Sequence, residues 1–173
     1  MSHVSASDLE VLRKQLGRQP RGVLSVETRC PAGHPQVVKV YPLLKLASGA
    51  EPFPTLFWLT CPGIIEQVSR LEHDGWISKL ERFLQEDSVL RISYELNQRQ
   101  YVAERWETLT AEDRHWMEAQ GWSEGFASRG IGGLADWSRI KCLHLHYAHH
   151  LARENVIGQW LDEHFVIQPC AAP

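Results

Sequence analysis

Potential metal ligands are concentrated in one segment near the C-terminal end of the chain. It contains Cys142, His144, His146 and His149. At about 100° per residue on an ideal helix, Cys142, His146 and His149 fall within roughly 60° of one another. Thiolates and neutral imidazoles are the ligands that zinc prefers in proteins. The spacing therefore predicts one thiol and two imidazoles of a metal site on a single helix face.

Two further cysteines each follow a predicted strand and are expected to complete that site. Cys30 lies in the turn at residues 29–35, and Cys61 directly precedes a Pro-Gly pair. A helix covering the sheet would lie against the same edge, so we expect Cys30 and Cys61 to approach Cys142. Three thiolates and one histidine would form a closed tetrahedral shell. Cys170 lies in a tail rich in Pro and Ala and is interpreted as incidental.

Other roles for these residues stay open from the sequence. Buried cysteine often serves as a small apolar filler, and histidines also cluster on solvated helix faces. The chain lacks the paired Cys-x-x-Cys units that are typical of zinc ribbons and fingers. Cys142 could instead act as a nucleophile activated by a histidine, although residues four apart on one helix more often coordinate or stack.

A glycine-rich segment precedes the histidine cluster and suggests a second kind of site. It contains Arg129, Gly130, Gly132 and Gly133, and Lys141 follows shortly after. Backbone N–H groups of such a segment can form an anion-binding nest, to which the two cations would add charge. The alternative is that the glycines permit close packing or positive φ. The pattern matches no phosphate-loop or dinucleotide fingerprint.

The periodicity predicts an α+β domain that would position these residues. Alternating residues at 22–29 and 36–41 predict a hairpin whose turn carries Cys30, and the apolar run at 55–60 predicts a central strand. A loop is expected at 42–54. We thus expect a small antiparallel or mixed sheet of about three strands in the N-terminal half, covered by several helices.

Helices are predicted along the chain both before and after the strands of this sheet. The first is short, begins at Ser5 or Ser7 and ends near Gly17; Pro62 begins another. Further helices are predicted from Trp76, from Ser88 and from residue 110 onward. A mobile loop is expected at 121–133, before a helix that runs from Asp136 or Ser138 to about residue 152. A last short helix is expected at 157–165.

Composition and charge restrict the location and the partners of the protein. The chain has 173 residues and a formal net charge of −3, which gives no general field that attracts nucleic acid. It shows no apolar run of about 18 residues and no secretion signal, so we expect a cytoplasmic protein without a membrane partner. The expected organisation is an N-terminal helical extension at 1–21, one globular domain at 22–167, and a tail at 168–173.

Three sequence blocks resemble the bacterial domain-of-unknown-function 501 family. They are Arg-Cys-Pro-x-Gly-x-Pro at 29–35, the run 52–62 that ends in Leu-Thr-Cys-Pro, and Gly-Ile-Gly-Gly at 130–133 with Lys-Cys-Leu-His at 141–144. The resemblance spans roughly residues 22–160. It implies recurring ligand-type residues at Cys30, Cys61, Cys142, His144 and His149, and it implies no activity.

Our preferred interpretation is a cytoplasmic metal-binding protein, with zinc as the metal. Cys30, Cys61 and Cys142 would be the thiolate ligands, and His149 or His144 the fourth ligand. One alternative is an iron–sulfur enzyme in which the three cysteines bind a cluster with one open iron. Another is a metal-free regulatory module that binds a small anion at the glycine-rich segment. Whether the protein is an enzyme stays undecided at this stage.

Overall fold

The computed structural model describes residues 4–46 and 49–170; residues 1–3 and 171–173 of the expected extension and tail lie outside them. The strands are β1 Val23–Arg29, β2 Pro35–Val40, β3 Leu43–Leu46, β4 Gly49–Pro52 and β5 Phe57–Leu59. The helices are α1 Ala6–Leu16, α2 Pro62–His73, α3 Trp76–Glu86, α4 Ser88–Thr108, α5 Ala111–Ala119, α6 Ser123–Ser128, α7 Leu143–Ala152 and α8 Val156–His164. The predicted α+β class is confirmed.

The main sheet has three antiparallel strands in the order β1-β2-β5. The predicted hairpin of β1 and β2 is confirmed. Its turn is closed by the N–H of Gly33, which donates to the carbonyl of Cys30 over 2.8 Å, and Gly33 has a φ of 78°. Glycine adopts this left-handed conformation without the steric cost that a side chain brings. The turn holds Cys30 at the end of β1.

The prediction of a central strand at 55–60 is wrong for the described sheet: the strand formed there, β5, lies at an edge, and β2 is central. Every residue of β2 is buried. The apolar run of β5 reflects cover on both faces: Phe57 packs into the core formed with the helices, and Trp58 packs beside Leu12 of α1. Burial by helices on both faces thus produced the pattern that suggested a central strand.

The expected loop at 42–54 contains a second small sheet. β3 and β4 pair antiparallel, with Leu43 opposite Pro52 and Leu46 opposite Gly49. Pro, Gly and Ala suggested a loop here because they have low strand propensity. Leu43 is nevertheless buried in a small core with Leu109, Met117 and Phe126 from the helical half. Tertiary packing therefore stabilises these strands against the local propensity.

The largest core lies between β5 and the helices that follow it. Its fully or nearly fully buried members include Leu56, Ile64, Val68, Tyr94 and Leu143. Pro62 begins α2 as predicted, and α7 packs against both β5 and α2. The end of α2 and the start of α7 are consequently neighbours. None of the helices in the described ranges is long and apolar enough to span a bilayer.

The helix that carries the histidines begins later than predicted. Asp136 does not cap it, because its Oδ1 instead accepts hydrogen bonds from the backbone N–H and the hydroxyl of Ser138, at 2.9 and 2.7 Å. Such local bonds offer Asp an alternative to a helix. The chain stays irregular up to Cys142, which is the N-cap of α7. Cys142 is therefore outside the helical stripe predicted for it.

A mobile loop is predicted at 121–133, but these residues include α6 and a 3₁₀ turn at Ile131–Gly133. Gly130 packs against Gln98: a Cβ at position 130 would lie 2.1 Å from Gln98 Oε1. That oxygen also accepts the N–H of Ile131 over 2.7 Å. The close contact with Gln98 therefore explains why position 130 holds a glycine, which has no Cβ.

Candidate metal centre

Three potential metal ligands converge where α2 ends and α7 begins. They are Glu72, Cys142 and His144, and one ligand atom of each lies within 4.8 Å of the other two. Glu72 lies in the last turn of α2, Cys142 is the N-cap of α7, and His144 follows in the first turn of α7. All three side chains are partly exposed, so the group lies at the surface of the core.

The hydrogen bonds of His144 are compatible with two positions of its ring proton. Nε2 lies 3.3 Å from the carbonyl oxygen of Ile65 and 3.1 Å from Oγ of Ser69. The Ile65 carbonyl can only accept, whereas the Ser69 hydroxyl, 2.7 Å from that carbonyl, can turn its proton to the carbonyl or to the imidazole. If the hydroxyl donates to the carbonyl, Nε2 carries the ring proton; if it donates to Nε2, the proton is on Nδ1 and faces Glu72.

The other nitrogen, Nδ1 of His144, faces Oε1 of Glu72 at 3.0 Å. In a neutral ring that is protonated at Nε2, Nδ1 presents a lone pair, and a lone pair facing a carboxylate requires a positive charge between them. The charge can be a proton, which makes an imidazolium–carboxylate ion pair, or a metal ion. Hydrogen bonding of the second ring nitrogen to protein is the usual arrangement of a metal-bound histidine.

Glu72 and Cys142 are also held in place by their surroundings. Oε1 of Glu72 accepts the backbone N–H of Leu143 over 2.5 Å, which joins the two helices directly. Burial raises the pKa of the Cys142 thiol, and the N–H groups of Leu145 and His144 oppose that shift. A metal ion that binds this sulfur must therefore displace a proton.

The structure does not bring Cys30 and Cys61 to Cys142. Cys61 is the N-cap of α2, whereas Glu72 beside Cys142 lies in the last turn of the same helix. Eleven residues of helix at 1.5 Å each separate the two ends by about 16 Å. One ion or one iron–sulfur cluster cannot span this distance. The joint site that the sequence suggested, with three thiolates from Cys30, Cys61 and Cys142, is therefore not assembled in this fold.

His146 and His149 lie in the core, away from the Glu72 group. The amide Nδ2 of Asn155 donates to Nδ1 of both rings, at 3.3 and 3.1 Å. His146 stacks on Tyr94 and His149 on Phe57. Burial lowers the pKa of His146 to about 3 and that of His149 to about 4, so both rings are neutral at pH 7.

The glycine-rich segment forms one wall of a cavity of about 450 Å³. Four of the five predicted anion-binding residues line it: Arg129, Gly132, Gly133 and Lys141. Gly130 lies behind this wall. The guanidinium of Arg129 donates to the carbonyl of Gly133 over 3.3 Å, and Nζ of Lys141 to that of Gly132 over 2.7 Å. Both cations are thus fixed to the backbone of the segment.

A buried arginine that the sequence did not single out supports the same cavity. Arg105 is fully buried, and its guanidinium donates to four backbone carbonyls, those of Pro54, Phe126, Arg129 and Gly130. Burial lowers its pKa to about 10, so the group stays charged at pH 7. Among the described residues its Nε has no hydrogen-bond partner, and the ring centre of Phe126 lies 4.3 Å from its guanidinium carbon. The cavity wall therefore includes a third cation, which carbonyl oxygens and an aromatic ring hold in place.

Glu72 and Cys170 have chemically important neighbours that their local sequence does not indicate. Glu72 belongs to an ordinary amphipathic helix, and only its place in the last turn of α2 brings it to Cys142. Cys170 was taken as incidental, yet its Sγ lies 3.4 Å from Sγ of Cys61. No local pattern marks either residue, because each acquires its neighbours through contacts between distant parts of the chain.

Comparison with known proteins gives one match. The model of a family described as a protein of unknown function (DUF501) matches residues 26–163, which run from the middle of β1 to nearly the end of α8. No curated protein and no solved structure matches the chain.

Proposed function

This chain belongs to the DUF501 family of proteins of unknown function, and we propose that it is a metal-binding protein whose ion is held by Glu72, Cys142 and His144. The observation that carries this proposal is the convergence of a carboxylate, a thiol and an imidazole within 4.8 Å. We propose zinc as the ion, since this donor set combines the three ligand types that zinc accepts in proteins. We also propose a cytoplasmic location, where thiols stay reduced.

The surroundings of His144 support metal binding at this position. With an Nε2 proton donated to the carbonyl of Ile65, Nδ1 would direct a lone pair toward the carboxylate of Glu72. A divalent ion between them would satisfy both groups and would also neutralise the Cys142 thiolate. Three protein ligands leave the fourth tetrahedral position of zinc open, which is the arrangement of catalytic rather than structural zinc sites. Water or a substrate could bind there.

The competing explanation is an ion pair between protonated His144 and Glu72. It accounts for the 3.0 Å contact, but it gives no role to Cys142, whose thiol lies in the same group. The two explanations predict different effects of removing that thiol. Under the ion-pair explanation Cys142→Ser leaves the metal content unchanged, whereas under our proposal the variant loses an ion.

The test is elemental analysis of the full chain, purified without chelator. We expect Cys142→Ser and His144→Asn each to lower bound zinc by one equivalent per chain. His73→Asn is the matched control, because His73 is an exposed histidine next to Glu72 on the same helix and should change nothing. Equal zinc content in the parent and both ligand variants would disprove the proposal.

The cavity beside the glycine-rich segment supports a second candidate function, binding of a small anion. Arg105, Arg129 and Lys141 contribute positive charge, and none of the described residues that line it is acidic. Trp122 and Phe126 add aromatic surface, which fits an anion that has a flat apolar part. Its position is separate from the proposed zinc ligands, none of which lines it.

Calorimetric titration with phenyl phosphate and with inorganic phosphate tests this second candidate. We expect phenyl phosphate to bind more tightly, and Arg129→Gln with Lys141→Gln to weaken it at least tenfold. Arg91→Gln is the control, because Arg91 is exposed on α4 and does not line the cavity. If the double variant and the control bind phenyl phosphate equally well, the cavity is not an anion site.

A further inference from the structure

Sulfur atoms from distant parts of the chain meet at the beginning of α2. Cys61 is the residue before the first turn, and Cys170 belongs to the segment after α8. Their Sγ atoms lie 3.4 Å apart. The N–H of Cys170 donates to Sγ of Cys61 over 3.3 Å, and the N–H of Gly63 donates to Sγ of Cys170 over 3.2 Å. Each sulfur therefore accepts a backbone hydrogen bond.

The C-terminal segment is fastened where Cys170 can reach this position. The side chain of Gln67 donates to the carbonyl of Gln168 over 2.7 Å and accepts its N–H over 3.1 Å. Gly63 leaves the necessary room, because a Cβ at position 63 would lie 3.2 Å from both N and Sγ of Cys170. The paired bonds between Gln67 and Gln168 and the N–H bond from Gly63 thus hold Cys170 against the first turn of α2.

Cys30 is the third cysteine at this end of the sheet. Residues 29 and 35 pair across the hairpin, and the carbonyl of Gln36 accepts the N–H groups of Thr60 and Cys61, at 2.9 and 3.4 Å. These bonds bring the turn of Cys30 beside the start of α2. The Gly63 N–H lowers the pKa of the Cys170 thiol, but burial and the sulfurs of Cys61 and Cys30 outweigh it and raise the pKa. The sulfurs of Cys30, Cys61 and Cys170 do not all lie within 4.8 Å of one another, so Cys30 must move closer to the other two to share an ion with them.

We propose that Cys30, Cys61 and Cys170 form a second metal site, in which three thiolates bind a zinc-class ion. Tetrahedral zinc with bonds of about 2.3 Å holds its sulfur ligands about 3.8 Å apart, close to the separation of Cys61 and Cys170. The free N–H groups at the start of a helix favour negative charge, and N–H bonds to sulfur stabilise the thiolate form. The proposed ion would replace three protons and leave one coordination position for an external ligand.

This site does not depend on the one at Glu72. The two lie at opposite ends of α2, about 16 Å apart at 1.5 Å per residue, and share no ligand. Three of the four cysteines of the chain belong to the thiolate site, and only Cys142 belongs to the other. Variants of one site can therefore be examined while the other site serves as an internal reference.

The experiment is anaerobic titration of the reduced, metal-free full chain with Co²⁺, followed by its thiolate-to-cobalt absorption. We expect Cys170→Ser to lose one equivalent of cobalt and more than half of the thiolate absorption. Cys142→Ser should lose one equivalent of cobalt and less than half of the thiolate absorption. Cys170 lies after α8 and is a partly buried residue at the edge of the main core, where serine keeps a side chain of similar size. Gly63→Ala, which crowds Cys170 without removing a thiol, should weaken cobalt binding at this site at least tenfold.

Three results would overturn the proposal. The first is unchanged cobalt stoichiometry and absorption in Cys170→Ser. The second is a disulfide between Cys61 and Cys170 in chain purified under reducing, air-free conditions, detected by mass spectrometry. The third is iron with inorganic sulfide bound at these cysteines, since a cluster would replace the single ion. If Cys142→Ser alone keeps its metal content, the site at Glu72 fails and this proposal stands.

Discussion

Nδ1 of His144 lies 3.0 Å from Oε1 of Glu72, and the same oxygen accepts the N–H of Leu143 over 2.5 Å. One carboxylate oxygen thus joins the last turn of α2 to the first turn of α7. The contact has a structural role whether or not a metal ion is bound. Replacing Glu72 therefore distinguishes its role in joining the two helices from its proposed role in binding the metal ion.

Glu72→Gln should remove the part of the stabilisation by zinc that comes from the site at Glu72. Glutamine can still accept the N–H of Leu143, but it has no negative charge for the ion. A ligand present at 100 times its dissociation constant stabilises the native state by about 2.7 kcal/mol. We expect zinc at that concentration to raise the melting temperature of the parent but to raise that of Glu72→Gln far less. Glu66→Gln, an exposed change on the same helix, is the control and should keep the full zinc effect.

Arg105→Met should strongly destabilise the fold. The substitution removes a donor from the buried carbonyls of Pro54, Phe126, Arg129 and Gly130, of which Pro54 keeps the hydroxyl of Tyr101 and Gly130 keeps the N–H of Gly133. A buried acceptor left without a donor costs about 1 to 3 kcal/mol. Urea unfolding measures the loss, with Arg91→Met on the exposed side of the same helix as the control. A loss below 1 kcal/mol would show that the carbonyls find other donors.

Gly130→Ala should destabilise the protein by steric conflict, without any backbone effect. Gly130 has a φ of −76°, which any residue adopts, but the new Cβ would lie 2.1 Å from Gln98 Oε1 and 2.9 Å from Trp137 Nε1. Overpacking of this kind costs about 1 to 3 kcal/mol. Gly125→Ala is the matched control, since it lies in α6 with open space around its Cβ position. We expect the control to unfold at the same urea concentration as the parent, or a higher one.

His149 should make the protein less stable as the pH falls through mild acid. Burial is the main reason why its pKa is lowered to about 4, with smaller effects from Glu104, Arg153 and His150. Between pH 6.5 and 4 the unfolded chain therefore binds a proton at this residue that the folded chain does not. The free energy of unfolding falls over this range, by at most about 3 kcal/mol from this residue.

His149→Asn tests the origin of that pH dependence. Asparagine can still accept the hydrogen bond from Asn155, but it does not titrate. We expect a smaller decrease in the free energy of unfolding between pH 7 and pH 4.5 than in the parent. His115→Asn, at an exposed position on α5, should leave the decrease unchanged. An identical pH profile for His149→Asn would mean that other groups produce it.

Local features of the fold were predictable from the sequence because they depend on neighbouring residues. The hairpin with Cys30 in its turn, the start of α2 at Pro62 and the last helix follow from alternation, from a favoured residue at the first helical position, and from helical spacing. Asp136 shows the limit of such reasoning. Its side chain could either cap a helix or close a local turn with Ser138, and the structure has the turn.

The sequence alone determined the α+β class, the family resemblance and the residue types that can bind a metal. Only the tertiary structure decided which of them meet. Helix α2 separates Cys61 from Cys142 by its length, brings Glu72 to Cys142 at one end, and allows Cys170 to reach Cys61 at the other. Such contacts join residues about 70 to 110 positions apart, and no local pattern encodes them. They arise from the packing of α7 and the terminal segment on α2, which depends on the whole core.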